Sequence, residues 1–343
     1  MNLCRAELLV RFVAAVLEAI GMRPVDAEYA AEVMVEADLA GHESHGVRQL
    51  PFWVERADQG LLAPGERPVI ELDLGALVRL DGRCSLGHIA MRELTDLAVA
   101  RAREHGIAGV AMRRASYAGR IADYCARGAR AGMAVLFWLN DSGTGQEVAP
   151  HGGDAGRLAT NPIGVGLPRS REPHLVLDMS TSVVAKGRVN DWRGRGLPIP
   201  ADWLTPSGVL RPSGGYKGTG LALVAEALAG ILAGAGSVRP EPPDGGQGVF
   251  GLAIHVARLR PLDEFTAEME RMLAYVRDVP LEPGAGPVRI PGESGAAVRE
   301  ERLRDGVPVH GYCWRELESL ARRFGIPLPA RLERIPQAKH PES

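Results

Sequence analysis

Two helical patterns alternate with two short apolar runs between residues 86 and 139, and this alternation limits the fold more than any other feature. Helical spacing covers residues 86–105, and the apolar run Ile107–Met112 follows as a predicted strand. A second helix is predicted near 118–131, before a second strand at Met133–Leu139. Such alternation is typical of α/β layers. We therefore expect an α/β fold.

Further elements are predicted on both sides of this region. Helices are expected at about 3–21, 25–40, 217–233, 261–278 and 311–324, and strands at Leu175–Met179 and Gly248–Val256. The stretch 188–216, rich in Gly, Pro and Arg, predicts a long loop. No GxGxxG lies between a strand and a helix, so the Rossmann fingerprint for dinucleotides is absent.

The composition excludes several classes of protein. The chain has 343 residues, 45% hydrophobic and 24% charged, as expected of a globular protein with about two domains. A formal net charge of −2 argues against a nucleic-acid partner. No run of about 18 apolar residues predicts a membrane span, and charges within the N-terminal apolar pattern argue against a signal peptide. Four scattered cysteines predict a reducing cytoplasm and indicate no metal site.

Lysine is rare, with three lysines against thirty-seven arginines. Lys186 ends LDMSTSVVAK, Lys217 lies in GGYKGTG, and Lys339 lies in a polar tail. A compact ammonium suits a phosphate or substrate oxygen in a glycine-lined corner better than the planar guanidinium does. The alternative is chance.

Four segments carry residues with candidate chemistry. In GHESHGVR, His45 suits proton transfer near neutral pH and Arg48 could bind a carboxylate, although a solvated turn is the alternative. Asp178 ends an apolar strand, where it could orient a reacting group or cap the following turn. Lys217 lies at a helix start, which favours anions, although the glycines there also allow close packing. Glu293 in IPGES could cap a helix or accept a ribose hydroxyl.

Five motifs together resemble the malate/L-lactate dehydrogenase family. They are SHGVR, RLATNPIGVGLP, LDMSTSVVAKG, GGYKG and IPGES, in the family's order over about residues 5–325. This family includes ureidoglycolate dehydrogenase, 2,3-diketogulonate reductase and Δ1-piperideine-2-carboxylate reductase. The resemblance implies a non-Rossmann dinucleotide-binding α/β fold, NAD or NADP as cofactor, and a homodimer.

The resemblance also implies roles for individual residues. His45 and Asp178 are the implied catalytic pair, with His45 as acid/base. The implied substrate contacts are Ser44, Arg48, Tyr117, Thr160 and Asn161. The implied cofactor contacts are Asp178, Met179, Ser180, Thr181, Ser182, Lys217, Gly218, Gly292 and Glu293. The implied domains are a helical part, 1–75 packing with 261–335, a cofactor-binding α/β domain, 76–260, and a polar tail, 336–343.

The chain departs from the family pattern at two places. Tyr117 stands where many members carry a second histidine, and a phenol with a pKa near 10 is a poorer base at neutral pH. The segment before GGYKG is short. Near it, Arg188, Arg193 and Arg195 could meet a 2′-phosphate, which favours NADPH without excluding NAD.

These observations predict hydride transfer to or from C2 of a small 2-oxo or 2-hydroxy acid. Two alternatives remain open. One is reduction of a cyclic ketimine carboxylate in a biosynthetic pathway. The other is a divergent member that binds NAD(P)H without redox activity.

Overall fold

The computed structural model describes residues 2–141, 145–194, 196–242 and 246–332. The chain forms two compact units: Met1–Glu55 together with Gly295–Ser343, and Arg56–Ser294. The domain boundaries expected after residues 75 and 260 both fall inside the second unit. The expected polar tail, 336–343, and Lys339 lie outside the described residues.

The strands of the described residues belong to two sheets. They are β1 (Asn2–Cys4), β2 (Val69–Asp73), β3 (Leu77–Asp81), β4 (Ile107–Ala115), β5 (Met133–Asp141), β6 (Ile163–Leu167), β7 (Leu175–Met179), β8 (Gln247–His255) and β9 (Val307–Val309).

The helices of the described residues are distributed over both units. They are α1 (Ala6–Ala19), α2 (Pro24–Leu39), α3 (Leu50–Asp58), α4 (Gly87–His105), α5 (Ala122–Arg130), α6 (Lys186–Gly194), α7 (Tyr216–Ala225), α8 (Val256–Leu259), α9 (Leu262–Arg277), α10 (Glu293–Asp305) and α11 (Gly311–Phe324). None of the described helices is long and apolar enough to cross a membrane.

The second unit is built on a sheet with the strand order β2-β3-β4-β8-β5-β6-β7. β3 and β4 run parallel, and the other neighbouring pairs in this sheet run antiparallel. A Rossmann sheet is instead mostly parallel and built from successive βαβ units. The sequence prediction of an α/β fold without Rossmann topology is therefore confirmed.

Glycines on β8 show that helices cover both faces of this sheet. A Cβ at Gly251 would lie 2.9 Å from Leu94 on α4, and a Cβ at Gly248 would lie 1.9 Å from the carbonyl oxygen of Ala229. Positions three apart on a strand face opposite sides. α4 therefore covers one face, and the π-helical turn Glu226–Leu232, which continues α7, covers the other.

The first unit is mainly helical, and β1 pairs with β9 as an antiparallel ribbon. α1 packs on α2 and on α11. Buried side chains of α1, among them Leu9, Val13 and Val16, recur at helical spacing and form one apolar face. A 3₁₀ turn, Glu43–His45, follows three residues after α2, and a second, Val47–Gln49, leads into α3.

The expected loop at 188–216 is wrong at its start, because α6 occupies Lys186–Gly194. Val189 on α6 is buried against a small apolar cluster that includes Val148, Leu158 and Leu210. This burial stabilises a helix that the polar, glycine-rich composition does not favour.

Candidate active site

His45 lies on the 3₁₀ turn after α2 and is half-buried. The Oγ of Ser44 is 2.8 Å from Nδ1 of His45, and the amide of Gln49 donates to the Ser44 carbonyl at 2.6 Å. A neutral imidazole has one donor and one acceptor nitrogen, so a partner at Nδ1 decides whether Nε2 carries the proton. If the Ser44 hydroxyl donates to Nδ1, Nε2 holds a proton that it can give away.

Arg48 follows on the second turn and packs over an aromatic ring. Its guanidinium carbon lies 5.3 Å from the centre of the Tyr312 ring, and the His310 ring stacks on Tyr312 at 6.0 Å. A cation held over a ring face has a restricted orientation. Sequence reasoning missed Tyr312, because no local pattern links α11 to the SHGVR motif.

Asp178 lies near the end of β7 in the second unit, where protein groups surround a residue that solvent still reaches. Its Oδ2 accepts a hydrogen bond of 3.0 Å from the backbone N–H of Ala122 at the start of α5. Desolvation by the surrounding protein raises the pKa of Asp178, while the Ala122 N–H and the charge of Arg120 oppose that shift. Asp178 thus caps α5. The alternative prediction, that it caps the turn following β7, is not what these contacts show.

Tyr117 lies in the segment between β4 and α5. Burial and the nearby charge of Asp178 both raise the pKa of its phenol. A Cβ at Gly87 would lie 2.1 Å from the Tyr117 carbonyl oxygen, so the start of α4 packs directly on this segment. Tyr117 is therefore held in place as a neutral phenol over the physiological pH range.

Three of the predicted motifs meet in the second unit. Thr181 donates from its N–H and its hydroxyl to the Thr160 carbonyl, at 2.8 and 2.9 Å. The Ser213 N–H donates to the Thr181 carbonyl, and the Gly218 N–H donates to the Ser213 carbonyl, both at 2.8 Å. A Cβ at Gly218 would lie 2.6 Å from the Thr181 carbonyl oxygen. RLATNP, DMSTS and GGYKG are thus joined by backbone contacts that require glycine at 218.

The serine hydroxyls of the DMSTS motif bind mainly to their own turn. Ser180 Oγ donates to the Ser182 carbonyl at 3.0 Å, Ser182 Oγ donates to the Val184 carbonyl at 2.8 Å, and the two Oγ atoms are 3.0 Å apart. With their protons engaged, these hydroxyls retain lone pairs that can accept from a ribose hydroxyl. Met179, the last residue of β7, is half-buried and pairs with Ile163.

The two motif lysines have different surroundings. Lys217 is exposed in the first turn of α7. Next to it lies a cavity of about 320 Å³, lined in part by His151, Arg211, Gly214 and Gly215. Lys186 instead forms an ion pair with Glu147 at 3.2 Å. Lys186 is thus engaged in an intramolecular ion pair at the surface, whereas Lys217 remains accessible to a ligand.

Asn161 is buried and bound to protein groups. Its amide nitrogen donates to Glu226 at 2.8 Å and to the Ala222 carbonyl at 3.2 Å. Glu226 is also buried and accepts from Asn140 at 3.3 Å and from the Val238 N–H at 3.1 Å. These contacts tie the RLATNP motif to α7 and to the π-helical turn that continues it.

The IPGES loop is held by charged groups. Glu293 accepts from the Ile290 N–H at 3.1 Å and pairs with Arg277 and with Arg169, the latter at 3.5 Å. These groups outweigh desolvation and lower the pKa of Glu293. Gly292 has φ = +100°, and a Cβ there would approach the His174 carbonyl oxygen to 3.0 Å. Glu293 thus caps its own loop, and its two predicted roles, as a helix cap or as a contact to a ribose hydroxyl, stay predictions.

Arg169 is a second residue that sequence reasoning missed. It is buried and forms a bidentate pair with Glu270, at 2.9 and 3.0 Å, and donates to the Pro173 carbonyl at 3.0 Å. A single arginine among thirty-seven gives no local sign of such burial. Its contacts link α9, the start of β7 and the IPGES loop.

The arginines considered for a 2′-phosphate have separate environments. The Arg188 guanidinium lies over Trp192 and Trp203, at 5.9 and 5.8 Å from the ring centres. Arg193 is exposed on α6, and Arg195 lies outside the described residues.

The second unit combines an α/β sheet without Rossmann topology with an accessible lysine at a glycine-lined helix start, which is an arrangement that can bind an anionic ligand. Residues 4–318 match the family model described as malate/L-lactate dehydrogenase. The chain is 34% identical over 328 residues to the L-lactate dehydrogenase of Cupriavidus necator, which covers 89% of this chain and 93% of that protein. It is 30% identical over 342 residues to hydroxycarboxylate dehydrogenase B of Escherichia coli K12, covering 94% of each.

Solved structures agree with these relatives. The structure of malate dehydrogenase from Pyrococcus horikoshii OT3 superposes with a TM-score of 0.84 at 27% identity, covering 95% of this chain and 96% of that one. The chain belongs to the malate/L-lactate dehydrogenase family. It is an oxidoreductase of hydroxy and oxo acids whose family uses a nicotinamide dinucleotide. The predictions of family, fold class and enzyme class are confirmed, and the roles of individual residues stay predictions.

Proposed function

We propose that the protein transfers a hydride between a nicotinamide dinucleotide and C2 of a small 2-oxo or 2-hydroxy acid, with His45 as the acid/base. The observation that carries this proposal is the 2.8 Å contact between Ser44 Oγ and His45 Nδ1. In reduction, the Ser44 hydroxyl donates to Nδ1, and Nε2–H gives its proton to the substrate oxygen. In oxidation, Nε2 takes that proton back.

The cofactor side of the proposal uses residues of the second unit. Lys217 supplies an accessible ammonium for a phosphate oxygen, and the α7 start with Gly218 allows a close backbone approach. The further proposed cofactor contacts are Asp178, Met179, Ser180, Thr181, Ser182, Gly292 and Glu293. When bound, the dinucleotide supplies or accepts the hydride. Ammonium, hydroxyl and backbone groups fit the oxygen-rich surface of such a molecule.

The substrate side of the proposal centres on Arg48. A guanidinium binds a carboxylate through two parallel hydrogen bonds, and the Tyr312 ring beneath Arg48 restricts its orientation. Asp178 is proposed to orient a reacting group from the second unit. Relatives named for lactate and for hydroxycarboxylates support a small 2-hydroxy acid as the substrate.

A cyclic ketimine carboxylate is the second candidate substrate. The observation that favours it is Tyr117, whose raised phenol pKa makes it a poor second acid/base. A protonated iminium carbon is already electrophilic, so its reduction needs less acid catalysis than that of a ketone. Between NAD and NADP, we propose NADPH as the preferred cofactor.

A substrate and cofactor panel tests the function. The purified protein is titrated with NADH and NADPH by fluorescence and then assayed with 2-oxo acids, 2-oxo dicarboxylates and cyclic ketimine carboxylates. We expect binding of at least one cofactor and turnover of a 2-oxo acid. Turnover of ketimines alone supports the second candidate. Binding without turnover on the whole panel supports a non-redox member, and no binding contradicts all three readings.

We also propose that the protein is a homodimer working in the cytoplasm. Apolar side chains of α7 and the following π turn are exposed: Leu221, Leu223, Val224, Ile231 and Leu232. A contiguous exposed apolar strip is typical of an interface. Light scattering after size exclusion tests the dimer, and Ile231→Glu should yield monomer if this strip is buried between copies. The scattered free cysteines support the compartment.

A further inference from the structure

Asp38 is a buried carboxyl near the C-terminal end of α2, and the mechanism above does not use it. The residue is only 2% exposed. Its Oδ2 accepts a hydrogen bond of 2.8 Å from the backbone N–H of Val47. The chain between these two residues carries Ser44 and His45. The carboxyl thus ties down the segment that follows His45.

Gly46 shows how closely the same carboxyl approaches the His45 turn. A Cβ at Gly46 would lie 2.2 Å from the carboxyl carbon of Asp38, so glycine is required there. On the other side, the His45 N–H donates to the His42 carbonyl at 2.9 Å, and the His42 N–H donates to the Ala37 carbonyl at 2.8 Å. The backbone on both sides of His45 is therefore anchored to the last turn of α2.

The charges around Asp38 come from three elements of the first unit. Burial raises the pKa of Asp38 to about 8. The charge of Glu43 on the turn adds to this shift, whereas the Val47 N–H and Arg302 on α10 oppose it. Arg302 also pairs with Glu43 and donates to the Asp38 backbone carbonyl. On α11, Cys313 is buried, and its thiol pKa is raised to about 12, partly by Asp38. Asp38 is thus mainly protonated near pH 7.

We propose that Asp38 is the positioning residue for His45: its carboxyl holds the turn, and its charge state adjusts the proton affinity of the imidazole. This inference rests on the proposed role of His45. Asp38 contacts the backbone on the C-terminal side of His45 and touches no substrate. When Asp38 loses its proton, the new negative charge favours the imidazolium, and His45 becomes a weaker acid.

Three variants separate these effects. Asp38→Asn keeps an acceptor for the Val47 N–H but cannot ionise, whereas Asp38→Ala removes the hydrogen bond as well. Asp26→Asn is the matched control, because Asp26 is also 2% exposed on α2 but pairs with Arg23. For each protein, kcat and KM are measured over about pH 6 to 9.5. The C2–H resonance of His45, assigned by its loss in His45→Gln, is titrated by NMR over the same range.

We expect Asp38→Ala to lose about ten- to a hundredfold in kcat, with the KM for the cofactor unchanged, because the acid/base is misplaced. Asp38→Asn should keep near wild-type turnover at pH 7. The wild-type His45 resonance should show a second inflection near pH 8, which is absent in Asp38→Asn and present in Asp26→Asn.

An inflection near pH 8 that survives in Asp38→Asn overturns the electrostatic part of the inference. A folded Asp38→Ala with wild-type turnover overturns the positioning part. If His45→Gln retains wild-type turnover, the proposed function fails, and the NMR titration still decides whether Asp38 acts on His45.

Discussion

Two segments carry candidate proton donors: the turn with His45 and the loop with Tyr117. Their surroundings give the two side chains different capacities to exchange a proton at neutral pH. His45 has a hydroxyl partner at Nδ1 and sits on a turn anchored by the Asp38 carboxyl. Tyr117 is half-buried, and desolvation together with the nearby charge of Asp178 raises the pKa of its phenol. Both are fixed in space, yet an imidazole can exchange a proton at neutral pH and this phenol cannot. The environments of the two groups therefore support our proposal that His45 carries the proton chemistry.

Among changes near Tyr117, removing the charge of Asp178 should have the largest effect on turnover. Asp178→Asn keeps an acceptor for the Ala122 N–H, so the melting temperature should change little. Turnover should fall about 10- to 100-fold, because the carboxylate that we propose to orient a reacting group is lost. Asp96→Asn is the control, since Asp96 is an exposed carboxylate that pairs with Arg127. Equal kcat values for the two variants would remove Asp178 from the reaction.

The anchor of the His45 turn predicts an unusual pH dependence of stability. The pKa of Asp38 is about 8 in the folded protein and about 3.9 when unfolded, so the folded state binds more protons between these values. The free energy of unfolding should therefore fall by about 1.4 kcal/mol per pH unit from this group as pH rises from about 4 to 8. The free energy of unfolding of Asp38→Asn, measured with urea, should lack this pH-dependent decrease. Parallel pH dependences for wild type and variant would contradict a neutral Asp38.

Loss of the Ser44 hydroxyl should have a smaller effect on the same turn. Ser44→Ala removes one hydrogen bond, worth about 1 kcal/mol, and should lower kcat about fivefold. The pKa of His45, read by NMR, should shift at the same time. Unchanged kcat together with an unchanged His45 titration would show that Ser44 does not set the tautomer.

Tyr117→Phe should have the smallest effect. The phenol stays protonated in the working pH range, so the basic limb of the kcat profile should coincide with that of wild type. A loss of about 100-fold or more in this variant would move the general acid from His45 to Tyr117.

Regular apolar patterns made part of the fold predictable. The strand Leu175–Met179 and the helix Gly311–Phe324 have the predicted bounds, since period and end signals agree there. β6 was missed because Gly164 and Gly166 interrupt its apolar pattern. Both glycines allow Cys125 on α5 to pack against the strand.

The motifs of the site were visible in the sequence, but their supports were not. Thr160, Thr181 and Gly218 lie in recognisable motifs, and the structure brings their backbones together. Asp38 and Arg169 are single charged residues, and each meets its hydrogen-bond partner only after the chain has folded. Both side chains are buried in the folded protein, and no local sequence pattern predicts that burial.

The most direct test of the account is the turnover of His45→Gln on the substrate that the panel identifies. A general acid contributes about 10²- to 10⁴-fold, so kcat should fall by that factor while the Kd for the cofactor stays at its wild-type value. Wild-type kcat in a folded His45→Gln protein would contradict the assignment of proton transfer to His45.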